Sequence, residues 1–292
     1  AQNHFPGQHR NKLAIKETVV MKALAFDLAD VKLLNSRFTQ NMERESNWIL
    51  SLEVARLLHT FRTNAGIWSG FQGGYETVDR LGGWESLDCE LRGHTTGHIL
   101  SGLALLYAST GDNIYKTKAD SLVSGLAEVQ SILNQGGYLS AFPRNLVDRA
   151  IDGKPVWAPW YTLHKLFAGL TDQYLYCNNG QALEIVKKMA DWSYNKLSAL
   201  TPEQRKVMLG NEFGGMNDAF YMLYEITGND KYKWLGEFFY HEANLDPLKL
   251  GEDNLEDKHA NTLIPKLTGL ARGYELGESK QYKEISDFFW NT

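Results

Sequence analysis

The sequence predicts an all-α fold built from helical hairpins, and three observations carry that reading. One pattern recurs four times: an aromatic closing one helix, a Gly/Asn/Asp turn, then a second amphipathic helix. Alternation of the strand kind is nearly absent. The longest apolar stretches are punctuated by Gly, His, Lys or Asp at helical spacing, as core helices are.

Taken in order, the chain opens with "AQNHFPGQ", with neither Met nor a hydrophobic leader. That fits a mature end left after signal removal and predicts a periplasmic or extracellular protein. Residues 1–25 read as an extension to a single α/α domain spanning 1–292. "ALAFDLADVKLL" (23–34) is the one extended candidate, and "NSRFTQNMERESNWILSLEVARLLHTF" (35–61) reads as one further helix.

The repeats follow as "LLYASTGDNIYKTKADSLVSGL" (105–126), "QYLYCNNGQALEIVKKMADW" (173–192), "MLYEITGNDKYKWLGEFF" (222–239) and "RGYELGESKQYKEISDFFW" (272–290). Gly and Asn tolerate the left-handed conformation that closes a helix, which places the turns at Gly111, Asn179, Gly228 and Gly277. The last two intervals are 49 residues each and the first is 68. "AFPRNLVDRAIDGKPVWAP" (141–159) is 19 residues long and reads as an inserted loop that accounts for the excess. Such αα-hairpins either stack as an open solenoid or close into a ring. The helix before each turn is apolar with small residues, suited to tight packing, and the helix after it carries a charged stripe.

Composition narrows the function. Thirty basic residues stand against 35 acidic ones, net −5, which argues against nucleic acid or an anionic membrane as the main partner. No apolar run approaches the roughly 20 residues of a membrane span. Two cysteines, Cys89 and Cys177, rule out a disulfide framework and a cysteine-rich zinc site from this chain alone, leaving one disulfide or two buried thiols. Eight Trp, 14 Tyr and 13 Phe suit either a large helical core or a carbohydrate-handling protein whose aromatic faces stack on sugar rings.

Polar patches sit upstream of the turns, at helix starts. They hold His94 and His98, then Tyr161 and His164, then Glu212, Asn217 and Asp218, then His259 and Asn261. In a closed ring these ends converge on one mouth, where imidazoles, amides and free helix N–H groups suit sugar hydroxyls. Singly, each is more often a cap or a satisfied polar group; the repetition favours a site. His94 and His98 have the spacing of helical zinc ligands, but the metalloprotease pattern requires Glu where Thr95 stands.

"GGWESLDCELRGHTTGHILSGLALLYASTGD", "WAPWYTLHKLFAGLTDQY", "NEFGGMNDAFYMLYEITG" and "DKHANTLIPKLTGLARGYEL", in this order, resemble the catalytic region of glycoside hydrolase family 127, the β-L-arabinofuranosidases, and the related family 146. The resemblance implies an (α/α)6 barrel, incomplete in this chain, and retaining hydrolysis of terminal β-L-arabinofuranosides from plant glycans. It places His94, His98, His164 and His259 around the sugar, with Asn47 as an amide near the barrel's start. It implies a zinc-bound cysteine nucleophile and a glutamate acid/base, both expected beyond Thr292, so that this chain supplies the substrate pocket without the zinc. A ring cut there exposes an apolar seam and predicts self-association.

Two rival readings remain. A self-sufficient inverting hydrolase or lyase would draw its acid and base from Glu212, Asp218 and Glu90. A non-catalytic helical-repeat scaffold would bind glycan or protein and need none of the histidines.

Overall fold

Each hairpin is closed by a left-handed residue, followed by a polar side chain that caps the next helix. A computed structural model describes residues 7–67 and 78–292. Residues 1–6, on which the reading of a processed amino terminus rests, and residues 68–77 lie outside the described ones. Among the described residues the regular elements are all helices. They are α1 (Arg37–Ser51), α2 (Val54–Asn64), α3 (His94–Thr110), α4 (Asn113–Leu133), α5 (Asn145–Ile151), α6 (Pro159–Cys177) and α7 (Gly180–Leu197). There follow α8 (Pro202–Leu209), α9 (Met216–Thr227), α10 (Asp230–Phe238), α11 (Glu242–Lys249), α12 (Ala260–Glu275) and α13 (Lys280–Asn291), with short 3-10 turns between some of them.

The hairpins α3–α4, α6–α7, α9–α10 and α12–α13 are the four repeats. Gly111 (φ 72°) and Gly228 (φ 68°) end α3 and α9, and Gly277 (φ 97°) follows α12. Asp112, Asn229 and Ser279 then accept from the second backbone N–H of α4, α10 and α13. At the second hairpin the left-handed residue is Asn178 (φ 56°), not Asn179; Asn179 is the cap, accepting from the Ala182 N–H at 2.9 Å. The register therefore shifts by one: Gly111 to Asn178 is 67 residues and Asn178 to Gly228 is 50. The segment 141–159 is not all loop either, since α5 lies within it.

Two further expectations are corrected. Residues 35–61 form two helices, because Leu52 turns out of α1 into the core and Glu53 takes extended geometry. Lys118, on α4, holds the break by donating to the carbonyls of Leu50 and Leu52. Residues 23–34 form no strand; a single 3-10 turn, Leu28–Asp30, packs on α3.

The chain divides into two compact units. One comprises Phe26–Leu146 and Lys165–Trp192 and so holds α1–α4 with most of α6 and α7. Its core includes Leu57, Leu58, Phe61, Leu100, Leu103 and Leu166. The backbones of α3 and α6 touch within it: a methyl on Gly97 would stand 2.3 Å from the Lys165 carbonyl oxygen, and one on Gly169 2.3 Å from that of Gly97. The other unit comprises Ala1–Ala25, Val147–His164 and Ser193–Thr292. In it Phe213, Phe220 and Phe239 pack together, and Leu245, Leu248, Leu263, Leu267, Leu270 and Ile285 form a further cluster. Residues 14–18 strap its helix ends: Ala14 and Ile15 donate to the Glu225 carbonyl, and Thr18 to that of Glu275. No helix among the described residues is long and apolar enough to cross a membrane.

Candidate functional site

In the unit that carries α9–α12, the first two turns of α6 present Tyr161 and His164, both half-buried. The loop before α9 crosses them. Gly215 donates its backbone N–H to Nδ1 of His164 at 3.2 Å. An accepting Nδ1 makes the neutral ring a donor at Nε2. The close approach requires glycine: at Gly214 (φ 59°) a methyl would stand 2.8 Å from Nδ1 and 3.2 Å from Cδ2 of Tyr161. Burial, reinforced by the charge of Glu212, raises the Tyr161 pKa, so its phenol stays protonated.

Behind the loop lies a buried cation. Lys266 on α12 is 1% exposed, and its Nζ donates to Nδ1 of His241 at 2.8 Å and Oδ1 of Asn244 at 3.0 Å. The ammonium also stands 4.4 Å from the Phe213 ring centroid. Burial lowers Lys266 to about 8, with Glu212 opposing and Lys258 assisting the shift. Burial first, then Lys266, Arg205 and Lys258, holds His241 near 3, so it is neutral and accepts.

The other polar residues expected in this unit differ in role. Asn217 is 1% exposed, donates to the Lys266 carbonyl at 2.8 Å, and leaves room for nothing larger than Gly269 on α12. That geometry joins two helices. Asp218 is paired with Nε of Arg272 at 2.6 Å, which removes it as a free acid or base. His259, the N-cap residue of α12, and Asn261 are exposed at the helix start.

In the other unit, the start of α3 brings His94 and His98 together as edge-to-face rings 6.0 Å apart, with Trp84 5.8 Å from His94. Nδ1 of His94 faces two acceptors, the Leu91 carbonyl at 2.9 Å and Oε1 of Glu85 at 3.0 Å. It therefore carries the proton, and Nε2 is the accepting nitrogen of the neutral ring. His94 and His164 are thus held in opposite tautomers. Glu85 also accepts from the N–H groups of Gly93 (2.6 Å) and Thr95 (2.9 Å). The α3 terminus accordingly does not offer those donors to a ligand, contrary to the expectation of free N–H groups. Burial works to raise the Glu85 pKa, but the bonds from His94, Gly93 and Thr95 outweigh it and hold it below the ordinary value. His98 keeps exposed surface, yet desolvation by the protein around its ring, then the charges of Lys165 and His94, lower it to about 4. Asn47 is exposed on α1, and no bond among the described residues joins it to these histidines. Glu90 is half-buried.

Sequence reasoning passed over Glu85, His241 and Lys266, and read Gly214–Gly215 as a turn feeding a helix. The signals were present: Lys266 interrupts the apolar stripe of Leu263, Leu267 and Leu270, and Glu85 precedes the His94 motif.

The resemblance implies a zinc in the complete enzyme. Among the described residues no group of three or more His, Cys, Asp or Glu side chains is placed to hold a metal ion. Cys89 is half-buried, Cys177 is buried, and no disulfide joins them. The described residues of this chain do not fit the metal.

Helical hairpins with polar helix starts put the chain in the α/α class of folds. Residues 30–292 match the family described as β-L-arabinofuranosidase, GH127 catalytic domain, and the chain belongs to that family. Two solved structures share its fold. The GH127 β-L-arabinofuranosidase of Geobacillus stearothermophilus T6 aligns over 89% of this chain at 16% identity, with a TM-score of 0.58. Another GH127 β-arabinofuranosidase aligns over 99%, also at 16% identity, with a TM-score of 0.60. The chain spans 44% of the length of each. No curated protein matches it.

Proposed function

We propose that the chain binds a terminal β-L-arabinofuranosyl residue of a plant glycan as the sugar-holding part of a retaining glycoside hydrolase. The observation that carries this is the Gly215–His164 hydrogen bond, which makes His164 a neutral donor at Nε2 beside the protonated phenol of Tyr161. Sugar hydroxyls both donate and accept, and neutral imidazoles and phenols meet them without placing a charge against an uncharged ligand. In the same unit His259 and Asn261 are exposed and of the same chemistry. In the other unit, His94, held by Glu85, and His98 carry neutral imidazole chemistry of the same kind.

The test is titration of the chain with methyl β-L-arabinofuranoside, followed by calorimetry or saturation-transfer NMR. Saturable binding is expected, and His164→Ala should weaken it about tenfold, the cost of a lost hydrogen bond with its partner left unsatisfied. Unaltered affinity in His164→Ala, or preference for a pyranoside, overturns the assignment. Hydrolysis of an aryl β-L-arabinofuranoside with retained anomeric configuration would place the catalytic groups on this chain as well.

A further inference from the structure

Two consecutive residues of α12 press on the loop that covers His164. A methyl added to Gly215 would stand 3.1 Å from Cβ of Pro265 and 3.1 Å from Nε2 of His164, so the glycine is pinched between proline and imidazole. The next residue, Lys266, sets its ammonium against the face of Phe213, which is fully buried and directly precedes Gly214. Packing alone does not call for a charge here. Leucine would continue the stripe of Leu263, Leu267 and Leu270, and a buried ammonium costs several kcal/mol unless its donors are met. They are met, by His241 at the start of α11, by Asn244 within α11, and by the Phe213 ring.

We infer that Lys266 is a positioning residue for His164: by gripping Phe213 it sets the Gly214–Gly215 backbone against the imidazole and so decides which ring nitrogen carries the proton. The neutral His241 accepts from the ammonium, and the charges acting on it are those of Glu212 and Lys258. Burial outweighs Glu212 and brings Lys266 to about 8, so its grip is released within an accessible pH range. The neutral amine still donates to His241 and Asn244 but loses its attraction to the ring. The consequence for sugar affinity rests on the function proposed above; the tautomer itself does not, and the test uses no sugar.

The experiment is NMR of the full chain labelled with 15N-histidine, His164 being assigned by its loss in His164→Gln. Near pH 6.5 the His164 signals should be those of an Nε2–H imidazole with an accepting Nδ1. Between pH 6.5 and 9.5 the Nδ1 signal should move with a midpoint near 8. Lys266→Arg, charged throughout, and Lys266→Met, never charged, should both lose that step, and Lys266→Met should show mixed tautomers at every pH. A flat His164 signal in the wild type, or a step that survives in either variant, overturns the inference. Should Lys266→Met fail to fold, the wild type and Lys266→Arg decide it.

Discussion

Glu85 and His94 meet at 3.0 Å, carboxylate to Nδ1, while the same carboxylate closes the N-terminus of the helix that begins at His94. One side chain thus sets both where α3 starts and which nitrogen of its first residue carries the proton. Glu85→Gln should cost about 2–4 kcal/mol, since it leaves a helix terminus and a buried imidazole without their anionic partner. The cost depends on pH with a definite sign. The folded pKa of Glu85 lies below its ordinary value of 4.5, so its contribution is complete above that value and is lost as pH falls through the folded pKa. Urea unfolding of wild type and variant should show midpoints well separated at pH 7 that converge below pH ~4. A separation unchanged at low pH would mean that the charge is not what holds the terminus.

The contrast between what was readable in the sequence and what was not follows from the range of the interactions. A left-handed Gly or Asn followed by an Asx or Ser cap is local chemistry, so the hairpins and their helix starts could be placed from residues 105–126, 173–192, 222–239 and 272–290. The helix break at Leu52 is set by Lys118, more than 60 positions later, and no local signal marks it. Asn217 and His164 looked alike, as polar residues near helix starts. Only the partner distinguishes them, a helix carbonyl for Asn217 and a loop N–H with solvent access for His164. Lys266 drew no attention because its compensating partners, His241, Asn244 and Phe213, lie outside its own helix.

The Gly214–Gly215 bridge over His164 yields a sharp comparison. Gly214→Ala puts a side chain at φ 59° with its methyl 2.8 Å from the imidazole, whereas Gly180 has nothing within 4 Å of the same methyl. Gly214→Ala should lose about 1–3 kcal/mol and displace the His164 ring, lowering arabinofuranoside affinity. Gly180→Ala should be neutral or slightly stabilising. Thermal unfolding and sugar titration of the pair provide the check, and equal behaviour of the two would refute the close approach.

Glu225 gives the opposite pH signature from Glu85. It is fully buried; burial raises its pKa to about 8, with Arg272 opposing and Glu17 and Glu275 adding to the rise. An acid with a raised folded pKa contributes stability in full below its unfolded value, and that contribution drains away as pH rises through the folded one. The wild type should therefore lose stability between pH 5 and 9, by roughly 1–3 kcal/mol from this residue. Glu225→Gln, which has nothing to ionise, should track the wild type at pH 5 and exceed it at pH 9 in melting temperature. Parallel curves would show that Arg272 neutralises the carboxylate throughout.

The last relationship concerns Gly97, which stands between the two histidines of α3 and touches α6 through its backbone. Alanine in a helix interior is ordinarily favoured over glycine by nearly 1 kcal/mol. At Gly97 the added methyl would meet the Lys165 carbonyl at 2.3 Å, and at Gly169 the Gly97 carbonyl at 2.3 Å. Backbone cannot rotate away as a side chain does, so the helices must part. Gly97→Ala and Gly169→Ala should each lose about 1–3 kcal/mol net. Gly102→Ala, whose methyl meets only the end of Ile49 at 3.2 Å, should lose little or gain. Because either methyl alone forces the separation, the second is accommodated in space already opened. The double variant should then lose clearly less than the two single losses combined. Additive losses would mean that each glycine fills a separate notch, and the shared α3–α6 crossing, which fixes the position of His98 one residue on, would have to be abandoned.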